Sequence, residues 1–285
     1  MRHLLLGATC LSGCASVEGE LTDLSFFQVV EVPVLTADGE IIGADSRSAP
    51  LVADRGALLR ARVELSDDAV SPSLQIELAG TVYESTDAAS SSDGLSVEIP
   101  ASALSPGAAY VARVMVDGDE LARFPAEGEA LLGALETGPL SIRFVPFEVN
   151  WNNCFYGLIT GVGSRDEYEG ITGTSESGGG EQVRACFAAG AAFAEQRSED
   201  TLIYELGHVH GLLHAPCDGE DLLDPDYPYD GGVTGVEGYD VRTGSFLGAD
   251  TKDMMTCCCP RWISDHNYAK LVEHVVTAQP FEGYQ

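Results

Sequence analysis

From residue 204 to residue 214 the chain reads Tyr204-Glu205-Leu206-Gly207-His208-Val209-His210-Gly211-Leu212-Leu213-His214, which gathers a phenol, a carboxylate and three imidazoles. Imidazole is the commonest side-chain ligand for metal ions, and together with carboxylate it is the usual carrier of protons near neutral pH. Either chemistry needs the groups aimed at one point, so spacing decides which of them cooperate. On a helix, residues four apart share a face and residues two apart diverge. Tyr204 and His208 therefore face the same way. His210 points elsewhere and reads as a surface or packing histidine.

The flanking residues indicate what must hold this stretch. Ser198 or Asp200 is placed to cap a helix through Thr201, Leu202, Ile203, Leu206 and Val209 that ends at Gly211. A last helix, capped by Ser264, is expected over 265–277, with Tyr268, Leu271, Val272 and Val275 at core spacing. Upstream, residues 142–149, 155–162 and 171–174 read as strands, whereas 183–197 suits a helix through its alanines or a buried strand through Val183, Cys186 and Phe187. A boundary is expected near Gly138-Pro139. Before it, from about residue 21, short alternating runs at 57–65, 74–78, 95–99 and 110–116 are separated by turn clusters such as Ser90-Ser91-Ser92-Asp93-Gly94. That pattern predicts an all-β sandwich of immunoglobulin-like architecture over 21–140, with a second domain over 141–285. The first domain has no cysteine, no histidine and no cluster of catalytic type, so its expected role is to space the second.

Segment 204–214 resembles the long signature of metzincin zinc metallopeptidases, His-Glu-x-x-His-x-x-Gly-x-x-His, at every defined position except the first, where Tyr204 stands. Asp253-Met254-Met255-Thr256 resembles their Met-turn, with Met255 as the methionine beneath the metal. Pro260-Arg261-Trp262-Ile263-Ser264-Asp265, together with His214-Ala215-Pro216-Cys217, is similar to a group of exported bacterial metzincins. The resemblance covers roughly 141–285 and is strongest over 201–265. It implies an α+β zincin domain that binds one zinc ion through His208, His214 and Tyr204. Glu205 is then the general base that deprotonates the zinc-bound water attacking a peptide bond. Gly211 would let the chain leave the helix with positive φ and bring His214 back to the metal.

Tyr204 is the main departure from that family. A phenol has an ordinary pKa of about 10 and costs roughly 4 kcal/mol to ionise at pH 7, a cost that a bound cation offsets. The phenol also reaches farther than an imidazole, so the expectation is that the helix must shift for the hydroxyl to ligate, with weaker or absent zinc. Cys257 stands where some metzincins carry a tyrosine; it reads either as a disulfide partner or as a thiolate ligand. The space between Val149 and the strand at 155 leaves no room for the long helix usual in that family. Two functions follow: a zinc endopeptidase, or a catalytically inactive metzincin-like module that binds peptides or proteins.

Other features bound the setting. Residues 1–13 combine Arg2 and His3 with a short apolar run, and Leu11-Ser12-Gly13-Cys14 resembles the lipobox of bacterial lipoproteins. The resemblance implies cleavage before Cys14, lipidation of its thiol, a tether over 14–20, and an exported chain held at the outer membrane or cell surface. The six cysteines left, all in the second half, are expected to form disulfides in that compartment. Spacing leaves their pairing open; Cys154 with Cys186 and Cys217 with Cys258 are the candidate pairs. A net charge of −30 with only 15 Lys plus Arg argues against a nucleic-acid partner, because phosphate contacts need cationic side chains. The acidic group Asp218, Glu220, Asp221, Asp224 and Asp226 reads either as a solvated loop bordering the cleft or as a calcium site. His266 and His274 read as partly exposed residues of the last helix.

Overall fold

A computed structural model describes residues 19–66, 71–85, 94–137, 159–162, 173–175, 186–191, 195–217, 223–256 and 260–277. The described residues form several β-sheets and few helices. They fall into two compact units, Met1–Glu136 with Tyr239–Gly244, and Thr137–Gly238 with Ser245–Gln285. Among the described residues, no helix is long and apolar enough to cross a membrane.

In the first unit, β1 (Gly19–Gln28), β2 (Val30–Leu35), β3 (Ala57–Leu65) and β6 (Leu95–Ile99) form antiparallel neighbours in the order β2-β1-β3-β6. A second antiparallel sheet runs β5-β4-β7-β8, from β4 (Ser73–Leu78), β5 (Thr81–Glu84), β7 (Ala109–Val116) and β8 (Asp119–Phe124), with β9 (Ala130–Leu131) also pairing with β7. The alternation in the sequence becomes alternation in burial: Val30, Val32 and Val34, then Leu74, Ile76 and Leu78, then Leu95, Val97 and Ile99 all face inward. Phe26 of one sheet meets Tyr110 of the other edge-on, ring centroids 5.2 Å apart, so the apolar faces of the two sheets join in one core. Gln28 is buried among them and its amide is satisfied: it donates to the carbonyls of Val52 and Arg55 and accepts the Val52 N–H. Tyr239–Gly244, much later in the chain, counts with this unit. The Tyr239 N–H donates to the Val29 carbonyl at 2.9 Å, and its ring meets Phe27 edge-on.

The second unit contains a three-stranded sheet in the order β10-β12-β11, from β10 (Ile159–Val162), β11 (Gly173–Ser175) and β12 (Cys186–Ala191). β10 runs parallel to β12, and β11 runs antiparallel to it. The open reading of 183–197 divides: Cys186–Ala191 is strand, and helix α1 (Glu195–Val209) follows and packs on β11 and β12. The expected helix start at Ser198 or Asp200 is corrected here, since both residues lie inside α1. Glu195, Gln196 and Arg197 are good helix formers, and they extend the helix upstream at little cost for the serine and aspartate beyond them.

Helix α2 (Asp265–Thr277) has the expected bounds and cap. The Ser264 hydroxyl accepts the Asn267 N–H at 3.1 Å, and the Ser264 carbonyl accepts the first helical bond from Tyr268. Tyr268 and Val272 are buried on its inner face. The strand expected at 142–149, the start of that expected at 155, and the Val149 to Phe155 interval lie outside the described residues.

Candidate metal centre

The C-terminal end of α1 sets the geometry of the site. Gly211 has φ +85, the left-handed conformation expected of it. Around it, the Leu212 N–H donates to the Gly207 carbonyl at 3.0 Å and the Gly211 N–H to the His208 carbonyl at 2.9 Å, the bond pair of a Schellman motif. The chain reverses there, and the loop that follows brings His214 back over the helix face that carries Tyr204 and His208.

The three side chains meet. The Tyr204 hydroxyl lies 2.7 Å from His214 Nε2, and His214 Nε2 lies 3.0 Å from His208 Nε2. The rings are mutually close, with centroids 4.8 Å apart for Tyr204 and His208, 5.5 Å for Tyr204 and His214, and 4.8 Å for the two histidines. The phenol thus reaches His214 from an unbroken α1. His208 Nδ1 lies 2.8 Å from the Leu212 carbonyl, which can only accept, so Nδ1 carries the proton. In the neutral ring, Nε2 then presents a lone pair to His214. Facing nitrogens at 3.0 Å need a hydrogen between them, or a cation in its place.

That arrangement fits a metal ion. Tetrahedral zinc with nitrogen and oxygen ligands at about 2.0–2.1 Å sets its donors about 3.3 Å apart. The donors here would open by a few tenths of an ångström. Among the described residues, no group of three or more His, Cys, Asp and Glu could hold a metal. Among the described residues, the third donor beside His208 and His214 is the Tyr204 phenol. Glu205, next to Tyr204 on α1, is buried.

Met255 lies beneath the cluster, fully buried with Leu212 and Ala215, and Tyr204, Tyr227 and Met254 pack against this group. A side chain at Gly207 would run into the Met255 sulfur and the Met254 methyl, so the helix passes this close only because residue 207 has no Cβ. The turn bearing Met255 is organised by Asp253, which is 0% exposed. Asp253 Oδ1 accepts the Met255 N–H at 2.7 Å and the Asn267 amide at 2.8 Å, and Oδ2 accepts the Ser264 N–H at 2.8 Å. The Asp253 carbonyl takes both the N–H and the hydroxyl of Thr256. One carboxylate therefore joins the turn to the start of α2. Arg261 adds a tie to α1, donating to the Thr256 carbonyl and pairing with Asp200 at 3.3 Å.

The acidic loop needs one correction. Asp224 is buried rather than solvated: Oδ2 accepts from Lys270 Nζ at 2.6 Å and from His266 Nε2 at 2.8 Å, and Oδ1 accepts the Asp226 N–H at 3.1 Å. Burial pushes its carboxyl up, but these hydrogen bonds and the Lys270 charge together outweigh burial and hold it below the usual carboxylate range. His210 packs edge-on against His274 at 5.1 Å, away from the cluster, as its spacing from His208 implied; burial, with His274 beside it, lowers its pKa. Nothing in the sequence distinguished Gly207 or Lys270, and nothing in it paired Asp224 with His266. They fall at undefined motif positions or outside the motif, and their roles arise from contacts across the fold.

Cys217 is disulfide-bonded. Cys14, Cys154, Cys257, Cys258, Cys259, the side chain of Cys186 and residues 218–222 lie outside the described residues, and with them both candidate pairings and the Cys257 alternatives.

Residues 150–261 match the family model described as Peptidase M66, a metallopeptidase domain family. The matched span includes Tyr204, Glu205, His208, His214 and Met255. No curated protein and no solved structure matches the chain.

Proposed function

We propose that this chain is a cell-surface zinc metalloendopeptidase-like lipoprotein whose second unit is an α+β domain of metzincin type. The observation that carries the reading is the meeting of the Tyr204 hydroxyl, His208 Nε2 and His214 Nε2 above buried Met255, inside a span that matches a metallopeptidase family. Tyr204, His208 and His214 would hold the metal. When bound, zinc supplies a Lewis acid that makes water a nucleophile near neutral pH. The protein's own groups do the rest. The bond from His208 Nδ1 to the Leu212 carbonyl keeps that ring in the tautomer whose Nε2 faces the site. Glu205, one residue along α1 from Tyr204, takes the proton of the attacking water and returns it to the departing amine of the peptide.

One observation favours a second reading. A proton on His214 Nε2, shared between His208 Nε2 and the Tyr204 oxygen, satisfies the cluster without any cation, as a catalytically inactive module that binds peptides or proteins would have it. Metal content decides between the two. The full-length chain, purified without chelators or an affinity tag, is measured by mass spectrometry beside His208→Ala and Tyr204→His. About one zinc per chain, lost in His208→Ala, supports the peptidase. No zinc in the parent and stoichiometric zinc in Tyr204→His would show that the phenol has silenced the site. The lipobox-like Leu11-Ser12-Gly13-Cys14 supports anchoring through Cys14, and Cys14→Ser is expected to leave the membrane fraction.

A further inference from the structure

His214 is the one member of the cluster that does not sit on α1, so its ring is only as well placed as the loop backbone beneath it. Two hydrogen bonds hold that backbone. The Ala215 N–H donates to the Met255 carbonyl at 3.1 Å, and the Asp224 N–H donates to the His214 carbonyl at 2.8 Å, within a parallel bridge between His214 and Leu223. The first is secured by the Asp253 network. The second depends on what holds residue 224.

What holds it is its own side chain, 4% exposed and turned onto α2. His266 and Lys270, one turn apart on that helix, both donate to Oδ2, at 2.8 and 2.6 Å. Oδ1 takes the Asp226 N–H and so fixes the turn that follows. Tyr227, packed against Met255, lies edge-on to the His266 ring at 5.3 Å and closes the space around the pair. An anchor meant only to tether the loop would serve at any residue of it. This one falls on the residue whose N–H holds the His214 carbonyl.

We infer that Asp224 is a positioning residue for the candidate metal centre: by locking residue 224 to His266 and Lys270 of α2, it holds His214 against Tyr204 and His208. The zinc readout of this inference rests on the metal-centre reading, whereas its geometry does not. The experiment uses the full-length chain as parent, Asp224→Ala, Lys270→Met and Lys270→Arg, each studied well below its own Tm. The imidazole nitrogen resonances of His214 are recorded by NMR without metal, and zinc affinity is then measured by competition with a chromogenic chelator.

Asp224→Ala is expected to shift the His214 resonances away from their hydrogen-bonded values and to weaken zinc binding about ten- to hundred-fold. Lys270→Met is expected to change both in the same direction by less, and Lys270→Arg to restore the parent values. Should Asp224→Ala fail to fold, Lys270→Met decides. A lower Tm with unchanged His214 resonances and unchanged zinc affinity would overturn the inference, leaving Asp224 as a structural anchor only. A parent that takes up no zinc would sink the metal-centre reading instead, and the His214 resonances alone then decide the role of Asp224.

Discussion

The first unit and the candidate site are held together by different forces. In the first, antiparallel strands bury alternate side chains, or in β1 and β3 five in succession, and stability is spread over many apolar contacts such as Phe26 on Tyr110 and Leu74, Ile76 and Leu78 in a row. Around the site the strands are short: Lys252–Asp253 and Arg261–Trp262 pair over two residues each. Beside the apolar group of Leu212, Ala215 and Met255, much of the interior there is polar, with Asp253, Thr256, Ser264, Asp265 and Asn267 all buried. Apolar contact is non-directional and tolerates small displacement, whereas a buried hydrogen bond holds its partners in one geometry and is costly to leave unmade. A scaffold needs the first kind of cohesion. A constellation that must hold three donor atoms about 3 Å apart needs the second.

Graded substitutions can break or sharpen this contrast. The largest effect is expected from Phe26→Ala, which should destabilise the first unit by about 4 kcal/mol through transfer loss and a cavity between the sheets, read by denaturant unfolding. Asp253→Ala comes next, at about 3 kcal/mol, because it strands the Met255 and Ser264 N–H groups and the Asn267 amide. Its effect should appear as faster amide exchange in the Met255 turn and at the start of α2, with the first unit's strands still protected. Gly207→Ala should cost about 2 kcal/mol, since the added methyl meets the Met255 sulfur. A smaller loss for Asp253→Ala than for Gly207→Ala would mean that packing, rather than the polar network, holds the site.

Ser264→Ala should cost about 1 kcal/mol by uncapping α2, seen as a lower Tm. The smallest effect concerns acid. Because the folded protein holds the Asp224 carboxyl below its ordinary value, the group adds stability that is fully present above an unfolded pKa of about 3.9. That contribution is lost as pH falls through the lower folded value. The Tm difference between the parent and Asp224→Asn should therefore be constant near neutral pH and shrink below about pH 4. A difference that grows on acidification would mean that the carboxylate is not held by Lys270 and His266 as described.

Much of the architecture was legible because periodicity records burial. Ala57–Leu65 and Leu95–Ile99 are strands as their alternation indicated, and Asp265–Thr277 is the helix its cap and apolar spacing indicated. The start of α1 was misread because Ser198 and Asp200 are good caps locally, while the residues before them are equally good helix formers. Helix spacing placed Tyr204 and His208 on one face, and the resemblance to the metzincin signature implied the turn at Gly211 that brings His214 back to them. The reach of Tyr204 was not legible: whether a longer side chain overshoots depends on where the returning loop sets His214.

The same division separates what the sequence by itself determined from what only the tertiary structure decided. Local spacing determined which groups share a helix face and where the chain turns at Gly211, because these are short-range consequences of backbone geometry, while the choice of Met255 came from the resemblance to a Met-turn. Tertiary structure decided that Gly207 must lack a side chain over Met255, that Asp253 binds the turn to α2, and that Asp224 joins Lys270 and His266 behind His214. Those partners lie 11 to 48 residues apart in the chain. No local pattern encodes such pairs; they meet only once the folded backbone leaves buried polar groups no other partner.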